Sequence, residues 1–284
     1  MKNILGVTRA GLAAAVLVGA VLCSAPAALA KTTTSSNWAG FAVHHPGVSF
    51  RRVSGTWTQP SVSCTAGQSS YSAMWVGIGG FKPTSHALEQ IGTEVDCNAA
   101  GNAVSSAWYE LVPAPSKPIK LAVHPGDVMH ATVTVDGHEV TVVLEDLTSH
   151  RTFRRRLDAP TIDVSSAEWI VEAPSECISQ FACQALPLAN FGSVAFGSVA
   201  ATSTRGAVGP IIAPHWWRTK IELAPGPQRL IVARQTSDTE GSATPSTLSG
   251  HGSGFDVTYS SVAASPQQFD GTRQSRLRAA YIEH

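Results

Sequence analysis

Polar and aromatic residues suited to acid–base chemistry lie inside four strand-like runs. Side chains alternate along a strand, so Trp108 and Glu110 share one face, and so do Glu168 and Glu172. Carboxylates repeated on one face of a sheet would line a polar groove. From periodicity alone, the simpler interpretation is that this face is just exposed to solvent. The runs are Trp75-Val-Gly-Ile-Gly-Gly, Leu88-Glu-Gln-Ile-Gly, Ala107-Trp-Tyr-Glu-Leu-Val-Pro and Ala167-Glu-Trp-Ile-Val-Glu.

The signatures of the common hydrolases are absent from the sequence. It has no Gly-x-Ser-x-Gly elbow and no His-Glu-x-x-His zinc helix. It also lacks the Asp-Thr-Gly loop of aspartic peptidases, since Asp238-Thr239 is followed by Glu240. The ten histidines are scattered, and the one adjacent pair, His44-His45, would point to opposite faces of a strand. We therefore expect no metal site and no cofactor.

Short strands separated by Pro, Gly and Ser predict an all-β fold of antiparallel sheets. Asp136-Gly137 lies between two alternating runs and predicts a two-residue hairpin turn. Residues Thr236 to Gly254, rich in Ser, Thr, Gly and Pro, predict a long loop. The predicted strands are Val53 to Trp57, Ala73 to Ile78, Ala107 to Val112, Val128 to Val135, Glu139 to Leu144, Trp169 to Glu172, Arg229 to Ala233 and Phe255 to Tyr259.

The first 30 residues have the pattern of a secretory signal peptide. Lys2 and Arg9 precede an apolar run, and Ala28-Leu29-Ala30 supplies the small residues of a cleavage site. The apolar run is shorter than the roughly 20 residues that span a bilayer. Leu22 stands where a lipoprotein signal needs a small residue before Cys23. We therefore expect a secreted, extracellular protein without a membrane anchor.

The charge balance of the remaining chain excludes one class of partner. Removing the leader leaves 18 basic and 20 acidic residues, whereas nucleic-acid-binding domains are usually strongly basic. The basic run Arg151 to Arg156 could bind an anionic surface, but a solvated strand face is the simpler interpretation. The length suits one β domain over residues 31–263, followed by a polar, basic tail over 264–284. We expect a monomer that does not bind nucleic acid.

Four cysteines remain after cleavage, an even number that favours disulfides in an exported chain. Cys177 and Cys183 are close enough in sequence to close a local loop. Cys64 with Cys97 would then be the simplest second pair, although four cysteines allow three connectivities.

The four runs also resemble the eqolisin, or glutamic peptidase, family. Two further segments carry the likeness, Ser36-Asn37-Trp38-Ala39-Gly40 and Pro187-Leu-Ala-Asn-Phe191. Their order and approximate spacing agree with the family from about Ser36 to Phe196. The resemblance implies a lectin-like sandwich of two curved antiparallel sheets. It also implies that this chain is an endopeptidase of protein and peptide substrates.

The same resemblance assigns roles to individual residues. It implies a catalytic pair of Gln90 and Glu172, with Trp75, Trp108 and Glu110 lining the substrate cleft. It also implies a disulfide between Cys177 and Cys183. With a pKa near its reference value of roughly 4.3, Glu172 would act first as a base and then as an acid, which implies acidic working conditions. The Gln90 amide, which does not titrate, would bind the oxyanion.

The sequence departs from the family pattern at one position, and it is compatible with two other functions. The fungal members carry Asp where this chain has Gly79, so a carboxylate near the site is missing. A glycosidase could use Glu110 and Glu172 across a glycosidic bond. A non-catalytic lectin-like module could use Trp108 and Trp216 as sugar platforms. The presence of Gln90 beside Glu172 favours the peptidase, because neither alternative needs that amide.

Overall fold

The computed structural model describes residues 31–179, 182–224 and 241–261. The expected leader, the strand predicted at Arg229 to Ala233 and the expected tail all lie outside these ranges. In the described part of the chain, no helix is long and apolar enough to cross a membrane.

The fold is all-β, as predicted. In the described ranges the only helical segment is a single 3-10 turn, Gly250–Gly252. Strands β1 to β18 are, in chain order, Lys31–Ser35, Trp38–His44, Phe50–Thr58, Ala73–Gly79, Leu88–Cys97, Ala103–Val112, Lys117–Ile119, Val128–Asp136, Glu139–Asp146, Arg151–Asp158, Ser166–Glu172, Ser175–Ser179, Ala182–Ala185, Ser193–Ser203, Val208–Gly209, Trp217–Leu223, Gly241–Pro245 and Phe255–Ser261.

Sixteen of these strands form one continuous hydrogen-bonded path that folds back over itself. The order is β10-β9-β8-β3-β14-β18-β17-β16-β2-β11-β4-β5-β6-β7, with β1 and β15 at its sides. Strand β4 contacts β3 and β8 face to face, and β5 contacts β8 and β9, although none of these pairs are neighbours in the path. The result is a β-sandwich, which confirms the predicted fold class.

Strands β2, β11, β4, β5 and β6 form one layer of the sandwich, and alternation along them divides their side chains between two faces. Inward residues such as Phe41, Val76 and Trp169 join the main core between the layers. A smaller apolar cluster lies on the opposite side, which we call the outer face. Its members are Trp38, Ala42, Ala73, Trp75, Leu88, Trp108, Ile170 and Ile221. The outer face therefore carries a buried apolar cluster, contrary to the interpretation, favoured by periodicity alone, that this face is simply exposed to solvent.

Two local predictions required correction. Strands β8 and β9 form the predicted hairpin, but Asp136 pairs with Glu139, so its two-residue loop is Gly137-His138. Gly137 has φ of 61°, and a glycine at the first loop position is typical of a type II′ turn. The predicted loop Thr236 to Gly254 contains a strand, because Gly241–Pro245 pairs with both β16 and β18.

The basic run lies in β10, which forms one edge of the path. Its side chains are mostly exposed, Arg156 pairs with Glu139 at 3.2 Å, and Arg155 lies over the ring of Tyr109. Positive charges on an edge strand oppose pairing with another chain. The solvated interpretation of this run therefore agrees with its position.

One of the two expected disulfides is present. Cys64 and Cys97 are joined by a bond of 2.02 Å that closes a loop with a sequence separation of 33. It ties the loop before β4 to the end of β5. The backbones of Cys177 and Cys183 face each other in the β12–β13 ladder, but their side chains lie outside the described part of the structure.

Candidate active site

Glu172 lies at the end of β11, on the outer face, between two other strands. It pairs with Trp38 of β2 and with Ala73 of β4. Asn37 Nδ2 donates to its Oε1 at 2.8 Å, and Trp75 Nε1 donates to its Oε2 at 2.8 Å. The side chain is half-buried. Two donors, one from the residue before β2 and one from β4, thus fix both oxygens of one carboxyl group.

These two donors are themselves held in position. Ser35 Oγ donates to Asn37 Oδ1 at 3.1 Å, which leaves the NH2 of the amide directed at Glu172. Trp75 is fully buried and packs edge-to-face on Trp38, with the ring centroids 5.0 Å apart. Sequence reasoning gave Asn37 no role, although it lies within the Ser36-Asn37-Trp38 segment that carried the family resemblance.

Gln90 and Glu110 form a second polar pair on the same face. They lie opposite each other in the β5–β6 ladder, and Gln90 Nε2 donates to Glu110 Oε2 at 2.7 Å. Gln90 Oε1 is buried and has no hydrogen-bond partner among the described residues. Because Glu110 accepts this hydrogen bond, the NH2 of Gln90 is directed toward it and the carbonyl oxygen of Gln90 is left without a partner among the described residues.

Strand β4 separates Glu172 from the Gln90–Glu110 pair, and the side chain of Trp75 occupies the space between Glu172 and Gln90. Gln90 pairs with Gly77, whereas Glu172 pairs with Ala73 on the other side of β4. A Cβ added at Gly92 would lie 2.7 Å from Trp75 Cβ, so only glycine fits opposite this tryptophan. The charge of Glu110 nevertheless acts on Glu172. Glu172 and the Gln90–Glu110 pair therefore belong to one site, in which the charge of one carboxyl group affects the other.

The acid–base properties of this site differ from those expected. Burial and then the charge of Glu110 raise the pKa of Glu172 to about 8, against a smaller opposing effect of its hydrogen-bond donors. Burial also raises the pKa of Glu110, which the hydrogen bond from Gln90 partly offsets. The expectation that Glu172 titrates near 4.3 is therefore wrong, because that value applies to a solvated carboxyl group.

A separate acidic group, not found by sequence reasoning, lies at the far end of the same strands. Glu89 and Glu168 are both 0% exposed, and their carboxyl oxygens have no hydrogen-bond partner among the described residues. Asp163 acts electrostatically on both. Its own carboxylate accepts from Ser85 Oγ at 2.5 Å. Parity places Glu168 correctly on a face, but no local sequence signal shows that it is buried or near Asp163.

The same acidic group bears on the departure at Gly79. This glycine has φ of +90°, and a Cβ there would lie 2.4 Å from the carbonyl oxygen of Asp163 and 2.9 Å from its Cβ. A larger residue is therefore excluded at position 79. Asp163, which also accepts from the backbone N–H of Gly80 at 3.3 Å, brings a carboxylate to this point from another segment.

The other residues considered from sequence occupy distinct environments. Trp108 lies on the outer face and is buried, and its Nε1 has no partner among the described residues. Trp216 is 2% exposed and packs on Phe50 in the main core, so it is not available as a sugar platform. The described part of the chain contains no group of three or more His, Cys, Asp or Glu residues able to hold a metal ion.

Known proteins share both the sequence pattern and this architecture. Aspergillopepsin-2 of Aspergillus niger is 30% identical over 200 residues, which cover 62% of this chain and 67% of that protein. Scytalido-glutamic peptidase, solved with a transition state analog inhibitor, superposes with a TM-score of 0.62 at 25% identity, covering 79% of this chain and 98% of that one. SCP-B, a member of the eqolisin family solved with the tripeptide Ala-Ile-His, superposes with a TM-score of 0.56 at 23% identity over the same shares. The model of the Peptidase A4 family matches residues 36–243. The chain therefore belongs to this family, the glutamic peptidases or eqolisins.

Proposed function

We propose that this protein is an endopeptidase that hydrolyses peptide bonds of proteins on its outer face, with Glu172 and Gln90 as the catalytic pair. The observation that carries the proposal is the environment of Glu172. A carboxyl group fixed through both oxygens, with its pKa raised to about 8, is prepared to hold and transfer a proton.

The raised pKa changes the order of proton transfers from the one expected. Below its pKa of about 8, Glu172 carries a proton in the resting site. In this scheme it first donates that proton to the carbonyl oxygen of the substrate, which makes the carbonyl carbon electrophilic. Water then attacks this carbon, and Glu172 takes up the proton that the water loses. Glu172 next protonates the leaving nitrogen, the C–N bond breaks, and the carboxyl group regains its proton from the product acid.

Gln90 is proposed to position the water and the reacting carbonyl. Its unpartnered Oε1 can accept a hydrogen bond from the attacking water. One N–H of its amide is held by Glu110, and the second can donate to the oxygen of the tetrahedral intermediate. Glu110 is thus a positioning residue for Gln90 in this scheme. These steps require only side chains of the site and water.

Protein or peptide substrates suit the site better than sugars. A tripeptide is bound to SCP-B, and a peptide-based transition state analog is bound to scytalido-glutamic peptidase. A glycosidase needs both carboxyl groups directed at one glycosidic bond, whereas Glu110 is bound to Gln90. The burial of Trp216 also removes one of the two platforms of a lectin-like module.

We further infer that the protein works outside the cell as a monomer. The leader pattern over residues 1–30 and the Cys64–Cys97 disulfide support export. The proposed chemistry needs no residue from a second copy of the chain, so a monomer is sufficient for it.

A digestion experiment tests the proposed activity. Purified protein is incubated with denatured casein between pH 3 and 8, with and without pepstatin, and the fragments are identified by mass spectrometry. Internal cleavage that continues in the presence of pepstatin is expected, because the site has no aspartic dyad. Release of reducing sugar from polysaccharides without protein cleavage would instead support a glycosidase.

A further inference from the structure

The outer face continues beyond Glu172 to an aromatic group at its other end, made of His44, His45, Phe81 and Trp217. His44 and Phe81 stack with centroids 4.8 Å apart, and the ring of His45 lies 4.6 Å from that of Trp217. His44 Nε2 also forms a 2.9 Å hydrogen bond with Thr219 Oγ1. Trp217 is 47% exposed, so the group presents a large ring to solvent.

An apolar floor connects this aromatic group to the catalytic pair. Trp38 and Ala42 lie on the outer face of β2 at the same parity as His44, and both belong to the outer cluster. Phe81 packs against that cluster. Trp217 pairs directly with His44 in the β16–β2 ladder. A substrate chain lying along the outer face could therefore contact both the catalytic pair and the aromatic group.

The length of β2 sets the separation between the two ends. Glu172 pairs with Trp38, and His44 lies six residues further along the strand, a distance of roughly 20 Å. An extended peptide advances roughly 3.3 Å per residue. A side chain over Trp217 would thus belong to a substrate residue about six positions from the bond being cleaved.

The charges around the aromatic group indicate which side chain it accepts. Burial lowers the pKa of His44, and the positive charges of Lys31 and Lys82 lower it further. An exposed indole by itself would attract a cation as well as a ring. The surrounding positive charge opposes Lys or Arg, whereas an uncharged aromatic ring can pack on Trp217 without that cost.

We propose that Trp217, with His45 beside it, forms a distal subsite that binds an aromatic side chain of the substrate about six residues from the scissile bond. This proposal rests on the proposed peptidase function. It extends that function, because long substrates with a suitably placed aromatic residue should be cleaved with a higher kcat/KM than short ones.

The test uses a peptide whose cleavage by the wild-type protein has been mapped. Phe, Ala or Lys is placed in turn at positions four to eight on each side of the cleaved bond, and kcat/KM at that bond is measured by mass spectrometry. One position is expected to favour Phe over Ala by about threefold to tenfold, the size of a single aromatic contact. Lys at that position is expected to give no gain.

Three variants then assign the effect. Trp217→Ala should remove the preference, so that the Phe and Ala peptides are cleaved with equal kcat/KM, and Trp217→Phe should keep part of the preference. Val208→Ala changes another exposed apolar residue, 63% exposed on β15, and should change nothing. A preference for Phe that persists in Trp217→Ala, or no preference at any position, would overturn the subsite. Failure of the wild type to cleave any peptide would overturn the peptidase function itself.

Discussion

Glu172→Gln is expected to lower kcat/KM for peptide hydrolysis by about three orders of magnitude, within the range observed for loss of a general acid–base. A glutamine has nearly the same size and can still accept a hydrogen bond from Asn37 or from Trp75. It cannot carry the proton that the carbonyl oxygen, the water and the leaving nitrogen exchange. The change therefore removes the chemistry and leaves the shape of the site.

A matched substitution on the same strand serves as the control. Glu168→Gln makes the same chemical change four residues away on the outer face of β11, and its activity should stay near that of the wild type at acid pH. Near-ultraviolet circular dichroism and thermal unfolding establish that both variants are folded. Wild-type activity in folded Glu172→Gln would exclude this residue as the proton carrier.

The free energy of unfolding is expected to decrease by several kcal/mol as the pH rises from about 4.5 to 8. Burial, and then the charge of Asp163, raise the pKa of Glu89 to about 8 from an ordinary value of 4.5. Burial raises the pKa of Glu168 well above its ordinary value, and Asp163 and Glu89 raise it further. Between the unfolded and folded pKa values the native state binds more protons than the unfolded state, so stability falls with pH.

This contribution is fully present below about pH 4.5 and is lost as the pH passes through the folded pKa values. Asp163 acts in the opposite sense, because hydrogen bonds lower its pKa below 3.8 and its contribution is lost only in stronger acid. Burial lowers the pKa of His44 and His130 below 6.5, so their contributions grow as the pH rises toward 6.5 and are complete above it. Glu172, with its pKa of about 8, and Asp96, whose pKa burial and then the charge of Glu94 raise to about 7, act in the same sense as Glu89 and Glu168. Together these carboxyl groups outweigh the smaller effects, so the fold is expected to be most stable in mild acid.

Urea unfolding of wild type, Glu89→Gln and Glu168→Gln at pH 4, 6 and 8 measures this dependence. Each variant should show a slope shallower by about 1 kcal/mol per pH unit, because a glutamine does not ionise. The stability of each variant relative to that of the wild type should therefore be higher at pH 8 than at pH 4. Parallel stability curves for all three proteins would contradict a contribution of Glu89 and Glu168 to this slope.

The sequence predicted the fold class and the family, because both depend on local or regularly spaced signals. Of the two predicted disulfides, Cys64–Cys97 is confirmed, and it was the pair left once Cys177 and Cys183 were assigned to each other. Alternation placed Trp108 with Glu110 and Glu168 with Glu172 on shared faces, which the strand registers confirm. The hairpin was found through its glycine, but the turn lies one residue later than predicted, because the register of β8 and β9 is fixed by pairing along the whole ladder.

What sequence could not supply is the environment of each carboxyl group. Glu172 and Glu168 have the same residue type, strand and face, yet one accepts two hydrogen bonds and the other accepts none among the described residues. The partners of Glu172 come from β4 and from the residue before β2, more than 90 positions away. Burial and such distant partners determine pKa values, so the expected value near 4.3 required correction.

The pH dependence of kcat/KM in wild type and in Glu110→Gln tests the central claim most directly. A mapped peptide is used, and rates are corrected for the folded fraction at each pH. For the wild type, kcat/KM should stay level in acid and fall as the pH rises through about 8, where Glu172 loses its proton. Glu110→Gln removes a negative charge that raises the pKa of Glu172, so the fall should move to lower pH. A fall that does not move, or activity that rises with pH through 8, would contradict protonated Glu172 as the catalytic acid.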